Sequence, residues 1–208
     1  MIDATIMKNK KKCHNIKKVL LAAGQSKRFG DKNKLLAVIN GKPIINHILD
    51  TLFEIYDASE LIVILGHKHK IIKNLILNKD IKILENINYK KGIGTSIALG
   101  TSNLDTEIDG VMIIPADMPY INSKDLINLE KKFIELNCVK VVMPEHNSRT
   151  GNPVILPRNY FNTLKSLKDD FGARSLIRKK DIITVKAEFG TIFDIDTEEE
   201  LAQIKANY

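Results

Sequence analysis

No stretch of this sequence approaches the roughly 20 consecutive apolar residues that a membrane-spanning helix needs. The N-terminal segment MIDATIMKNKKKCHNIKK carries charge but no apolar core, so a secretory signal is not expected. Cysteine is scarce, with only Cys13 and Cys138, and no Asn-x-Ser/Thr sequon occurs. Both absences favour a reducing, cytoplasmic setting and two thiols without a structural bridge. Internal repeats, low-complexity linkers and composition breaks after residue 18 are also missing. Residues 18–208 therefore read as one domain of ordinary size, preceded by a flexible basic tail over residues 1–17.

The composition that remains is that of a soluble globular protein, 44% hydrophobic and 27% charged. The net charge is +7 and much of it is local. Lysines 8, 10, 11, 12, 17 and 18 face only Asp3 within residues 1–18, which gives +5 there and leaves +2 for the rest. No aromatic residue or arginine accompanies these lysines. A solvated extension is thus expected, and neither a nucleic acid nor a membrane is an expected partner.

Strand-like and helix-like patterns alternate along the chain. Lys18–Ala23, Leu61–Leu65, Ile81–Leu84, Val111–Ile114 and Cys138–Met143 read as buried strands. Helical spacing runs through Pro43–Tyr56, where Ile44, Ile48, Leu52 and Ile55 share a face, and through Lys70–Leu77 and Ser96–Leu104. Ser123 is the expected N-cap of a helix through Leu136. Pro153–Leu156 reads as an antiparallel strand framed by prolines. Helical segments are expected at Asn159–Leu167 and Ala173–Arg178, a strand at Ile182–Ala187, and a last helix capped by Thr197 and running through Ile204. Such alternation predicts a three-layer, Rossmann-like α/β fold with a mainly parallel central sheet and an antiparallel part. In such sheets ligands sit beyond the carboxyl ends of the strands.

The loops at those ends carry four signals. The first is GQSKRFGDKNK (24–34), where glycine lets backbone N–H groups approach an anion and Lys27, Arg28, Lys32 and Lys34 suit a polyphosphate. Gly24 and Gly30 enclose five residues and Asp31 follows, so this is neither a Walker A loop nor a dinucleotide fingerprint. The second is PADMPYI (115–121), which places Asp117, a hard oxygen ligand suited to Mg²⁺, just past a strand; the alternative is a turn or capping role. The third is FDIDT (193–197), where Asp194 and Asp196 face one side if extended, one completing a metal site and the other structural. The fourth is GIGTSIALG (92–100), two glycines before a helix that starts with Thr95 and Ser96, fit for a nucleobase edge or a phosphate, or simply a capped turn. Together they converge on a nucleotide and a divalent ion. His67 and His69, two apart after a strand, read as half-exposed loop residues rather than a metal pair. His47 reads as a packing residue, His146 as a group near a strand end, and Tyr89 as a strand cap.

These stretches, VLLAAGQSKRFGDKNKLL with GKPIINHILD after it, then VILGH, NYKKGIGTSIALG, MIIPADMPYI, RTGNPVILP, DDFGARSLI and FDIDTEEEL, resemble the molybdenum cofactor guanylyl- and cytidylyltransferases, the MobA-like NTP transferases. The resemblance spans the chain after residue 17 and is closer to the molybdopterin cytidylyltransferase branch. It implies a GT-A-like nucleotidyltransferase fold and Mg²⁺-dependent transfer of CMP from CTP to molybdopterin, with release of pyrophosphate. It also implies that Gly24, Arg28 and Lys34 hold the NTP phosphates and that Asp117 and Asp196 bind Mg²⁺. Gly92, Gly94 and Thr95 would lie near the base. Ala22 and Ala23, in LAAG, tend to accompany cytidine, where LAGG accompanies guanine. Lys34, Arg28 and Asp117 are the implied catalytic residues, and Asn152 and Arg174 the implied acceptor contacts. A molybdenum hydroxylase is an implied partner.

Two positions depart from the family pattern. Asn152 stands where a histidine is frequent, and Asp169 replaces the glycine of the usual Gly-Asp pair, with Phe171 before Gly172. Two other readings remain open at this point. One is the same chemistry on another small phosphate, such as a sugar phosphate or methylerythritol phosphate. The other is a non-catalytic cofactor-delivery protein, against which the joint presence of Asp117, Asp196, Lys34 and Arg28 argues.

Overall fold

Strand β1 spans Ile16–Ala22, and its side chains alternate between two cores. Ile16, Leu20 and Ala22 enter one; Val19 and, just past the strand, Ala23 enter the other. A strand buried on both faces belongs inside a sheet, and β1 pairs on both edges. The structure, a computed structural model, describes residues 15–29, 33–76 and 80–206. Most of the basic tail, Gly30, Asp31 and Lys32 lie outside the described residues.

A small hairpin, β2 (Val38–Ile39) and β3 (Lys42–Pro43), follows the first loop. Then come α1 (Ile44–Ile55), β4 (Leu61–Leu65), α2 (His69–Leu75), β5 (Lys82–Glu85), α3 (Ile93–Ser102), β6 (Gly110–Pro115) and α4 (Ser123–Glu135). The second half adds β7 (Val141–His146), β8 (Arg149–Thr150), β9 (Val154–Pro157), α5 (Phe161–Lys165), β10 (Ile182–Lys186) and α6 (Glu198–Ala206). The main sheet runs β10-β7-β9-β6-β1-β4-β5, with β8 paired to β7. Its neighbours are parallel from β6 to β5 and between β7 and β10, while β9 runs antiparallel to both β6 and β7. The predicted mainly parallel sheet with an antiparallel part is therefore present, and Pro153–Leu156 marks the reversed strand.

Helices cover both faces. On one, Ile48 and Leu52 of α1 and Leu126, Leu129 and Phe133 of α4 pack against β1 and β6. On the other, Ile97 of α3 and Phe161 and Leu164 of α5 do the same. Ile48 and Leu52 are wholly buried; each contributes roughly 1.5–3 kcal/mol relative to exposure, so this stripe rather than intrinsic propensity fixes α1. Gly110 starts β6 where a Cβ would stand 2.5 Å from the Phe133 ring, so glycine admits α4 to the sheet.

Several sequence expectations need correction. Asn122, not Ser123, caps α4: its side-chain oxygen accepts from the Asp125 N–H at 2.8 Å. The strand expected from Cys138 starts at Val141, because Asn137 and Cys138 take the left-handed conformation that ends α4 (φ 53° and 55°). Cys138 is disulfide-bonded rather than a free thiol. Ala173–Leu176 is a 3₁₀ turn, and the helix expected over 159–167 is a 3₁₀ turn followed by the five-residue α5.

β1 begins at Ile16, so the last two lysines of the basic segment belong to the sheet. Lys18 is buried on the α1/α4 face. Its ammonium lies 2.8 Å from both Glu60 and Glu130 and 3.8 Å from the centre of the Tyr56 ring. Burial pushes the Tyr56 phenol far up, helped by Glu130 and Glu60, so it stays protonated. Among the described residues, no helix is long and apolar enough to cross a membrane.

Candidate active site

The loop after β1 is closed by a clip of side chains. Ser26 takes a left-handed conformation (φ 54°), and its hydroxyl accepts from the Lys34 N–H at 3.1 Å. The Asn33 side chain accepts from Leu35 N–H at 3.0 Å and donates to the His67 carbonyl at 3.1 Å, tying the loop to the end of β4. Phe29 is buried beneath it. The backbone that carries Arg28 and Lys34 is thus set by packing and hydrogen bonds. Gly24 faces open space: a Cβ there would meet no protein atom within 4 Å.

Asp117 stands two residues past β6. The segment that carries Asp194 and Asp196 is brought against it by a backbone bond from Ile195 N–H to the Asp117 carbonyl at 3.1 Å. Just upstream, Gly190 packs on the Tyr120 backbone where a Cβ would overlap. The alternation expected of Asp194 and Asp196 holds. Carboxylate oxygens of Asp117, Asp194 and Asp196 all lie within 4.8 Å of one another.

Two cations enter this group. Lys34 Nζ is 2.5 Å from Asp117 Oδ2 and 2.7 Å from Asp196 Oδ1, and Arg28 is 2.5 Å from Asp196 Oδ2. Burial by itself lowers the Lys34 pKa, but Asp117 and Asp196 outweigh it and hold the ammonium above its usual value. Partial burial opposes ionisation of Asp196, yet Lys34 and Arg28 prevail and hold it below the usual carboxylate range. Asp194 is pushed the other way, first by burial and then by Asp117 and Asp196. Asp117 Oδ1 is buried without a hydrogen-bond partner. A carboxylate oxygen left over beside two further carboxylates is a donor set of hard oxygens, and it fits a divalent cation such as Mg²⁺.

A cavity of about 360 Å³ opens beside these groups. Ala23, Gly24, Arg28, Lys34, Gly92, Asp117 and Asp196 line it, as do Gln25, Ser26, Tyr89, Ile93, Ser96 and Asp170. Ala22 points into the core instead, wholly buried. Thr95 turns its hydroxyl to the Gly92 carbonyl at 2.8 Å and holds the first turn of α3. Gly94 is buried under the 168–171 loop, its N–H donating to the Asp169 carbonyl at 2.9 Å. Asn152 and Arg174 lie outside the cavity lining. They neighbour each other, because the Arg174 guanidinium donates to the Thr150 and Gly151 carbonyls. His67 stacks on Tyr89 (centroids 6.2 Å apart) and His69 sits 3.4 Å from Glu85, so these histidines form no metal pair. His47 packs with its ring on the Ile39 carbonyl and His146 with its ring on Ala187. A larger, mainly apolar hollow of about 560 Å³ lies between Phe29, Leu36, Val38 and Leu201, away from the three carboxylates.

Asp170 escaped sequence reasoning as a cavity residue, whereas Ser96, read there as part of a ligand-fit helix start, does line the cavity. The available signal for Asp170 was its place in DDFGAR, and nothing local told that loop to fold onto α3. Ser96 sat in a glycine-flanked helix start that offered several hydroxyls.

A glycine-hinged cationic loop, an acidic cluster past β6 and a cleft at the strand ends suit a phosphate-bearing ligand on an α/β sheet. The chain belongs to the MobA-like NTP transferase family, whose domain model matches residues 18–184. It is 36% identical over 123 residues to the bifunctional protein GlmU of Thermosipho africanus, 59% of this chain and 26% of that protein. The chain spans about a quarter of the length of such curated relatives. Its fold is shared with Rv0371c of Mycobacterium tuberculosis, solved as a manganese complex, at a TM-score of 0.75 and 17% identity, covering 94% of this chain and 100% of that one. It is also shared with the molybdopterin-guanine dinucleotide biosynthesis protein A of Archaeoglobus fulgidus, at 0.62 and 17%, covering 92% and 97%.

Proposed function

We propose that this nucleotidyltransferase transfers CMP from CTP to molybdopterin and releases pyrophosphate. The observation that carries the reading is Lys34 held between Asp117 and Asp196 at the edge of a nucleotide-sized cavity beside Gly24. In the reaction, a phosphate oxygen of the acceptor attacks the α-phosphorus of CTP. The bond from that phosphorus to the bridging oxygen breaks, and the electron pair leaves with pyrophosphate. Negative charge grows on the equatorial and leaving oxygens, and Lys34 and Arg28 neutralise it. The nucleophile is already an anion, so no general base is required.

Asp117 and Asp196 would hold Mg²⁺, with Asp194 beside them; the manganese in the Rv0371c complex supports a divalent ion for this fold. When bound, the ion supplies positive charge to the phosphate oxygens. Ala23, Gly24, Gly92, Gly94 and Thr95 form or support the nucleotide pocket, and Asn152 with Arg174 faces the acceptor. Residues 18–208 act as one domain in the cytoplasm, with a molybdenum hydroxylase as a downstream partner.

The test is pyrophosphate release by the purified chain with Mg²⁺, crossing CTP, GTP, ATP and UTP with molybdopterin. Release with CTP and molybdopterin alone supports the full reading. CTP binding without release in that pair, but release with a sugar phosphate or methylerythritol phosphate, moves the acceptor and keeps the nucleotide site.

A further inference from the structure

The nucleotide cavity brings cations and carboxylates into contact. Arg28 and Lys34 crowd toward Asp117 and Asp196. Asp170 enters the same cavity from a different loop. That loop is fixed to the first turn of α3. The Gly94 N–H donates to the Asp169 carbonyl at 2.9 Å, and a Cβ on Gly94 would stand 2.6 Å from the Lys168 carbonyl. Gly92, at φ +126°, leaves the gap that the Asp170 carboxylate borders. Among the described residues no hydrogen bond or ion pair takes up that carboxylate.

A carboxylate accepts hydrogen bonds and cannot donate them. It also repels a triphosphate. Asp170 is not in the group formed by Asp117, Asp194 and Asp196 and pairs with neither Lys34 nor Arg28, so nothing offsets that repulsion, and it is placed to face the base or the ribose of a bound nucleotide. Ile93, next to the Gly92 that borders Asp170, lines the cavity and is 44% exposed, and Tyr89 lines it as well. An aromatic ring and an exposed aliphatic side chain suit the face of a base better than a hydroxyl-bearing sugar.

Resting on the nucleotidyltransferase reading of this cavity, we infer that Asp170 reads the nucleobase, selecting bases that carry an exocyclic amino group. Cytosine presents an N–H₂ donor where uracil presents a carbonyl oxygen. The amine completes the carboxylate; the carbonyl opposes it and leaves an acceptor facing an acceptor. Guanine and adenine also carry amino groups, so Asp170 excludes uracil, and the discrimination among the other bases falls to pocket size at Ala23.

Equilibrium binding of CTP, UTP and 2′-deoxy-CTP to the full chain with Mg²⁺ tests this without acceptor or turnover. Wild-type protein is expected to bind CTP at least about tenfold more tightly than UTP, and Asp170→Asn, whose amide can both donate and accept, brings the two within about twofold. An unchanged CTP:UTP ratio in Asp170→Asn overturns the inference while leaving the nucleotide site standing. A change confined to the CTP:2′-deoxy-CTP ratio also overturns it, by assigning Asp170 to the ribose. Failure of every nucleotide to bind wild-type protein overturns the nucleotide reading and this inference together.

Discussion

The ammonium of Lys34 sits 2.5 Å from the carboxylate of Asp117, joining the loop after β1 to the residue delivered by β6. With Asp196 on its other side, Lys34 balances charge that a divalent cation and a polyphosphate would otherwise share. Asp117→Asn removes one full charge from that balance with almost no change in shape. Turnover with Mg²⁺ is expected to fall by roughly 10²–10³-fold. Thermal unfolding without metal stays near wild type, and the stabilisation that Mg²⁺ gives the wild-type chain disappears. Near-normal pyrophosphate release by this variant sinks the assigned role.

Ala23 is 4% exposed and is among the residues that line the nucleotide cavity, where one methyl group separates it from glycine. Ala23→Gly enlarges the pocket by that methyl group. The preference for CTP over GTP is expected to relax by about tenfold, the scale on which one methyl group discriminates. Competition binding of the two nucleotides reads it directly, and an unchanged ratio removes Ala23 from base selection.

Gly94→Ala puts a methyl group against the Lys168, Asp169 and Phe171 carbonyls. These are backbone atoms, so the 168–171 loop must move and carry Asp170 away from α3. Nucleotide affinity is expected to drop by about tenfold or more with a destabilisation of only about 1–3 kcal/mol, as for other overpacking changes. A urea melt beside a CTP titration separates the two; loss of stability with normal affinity would show that the loop's position is immaterial.

Lys18 serves two carboxylates at the opposite end of β1 from the site. Lys18→Met leaves Glu130 without its ammonium and costs about 3 kcal/mol at neutral pH. Burial already pushes the Glu130 pKa up in the wild type, with Lys18 working against it. An acid whose folded pKa is raised keeps its proton longer in the folded chain, so stability is lost as pH rises from the usual carboxylate range through the folded value. The variant's deficit should therefore shrink as pH is lowered toward that range. Urea denaturation at several pH values checks it, and a deficit independent of pH would place the cost in lost packing instead.

Elements with one strong local signal were legible in the sequence. Leu61–Leu65 is a strand at the expected bounds, since five buried apolar residues leave little choice. α1 follows the spacing of Ile44, Ile48 and Leu52 after Pro43. Asp117 was legible because it follows the apolar run of β6, whereas its pairing with Asp196 was implied by the family resemblance. What stayed hidden depends on contacts between distant segments. Lys18 opened an expected buried strand with nothing in the sequence to name its partners, Glu60 and Glu130. Ala22 and Ala23 looked equivalent until the pleat of β1 sent them into opposite cores, with only Ala23 reaching the cavity lining. Thr95 offered a free hydroxyl in the sequence, and in the fold that hydroxyl belongs to the Gly92 carbonyl.

The reversal of β9 has a consequence for how such a cleft can diversify. On the β1, β4 and β6 side, each loop at the cleft leads from a strand into a helix or back across the sheet, so a changed length there disturbs a crossover. Beyond β6, the hairpin of β7 and β8 and the start of β9 reach the same edge as turns between antiparallel neighbours. A turn of that kind can grow or shrink at its tip while the strands behind it keep their register. The β7–β8 hairpin and the approach to β9 are thus the part of this edge that insertion and deletion can reshape, while the loop around Gly24 and Lys34 stays fixed.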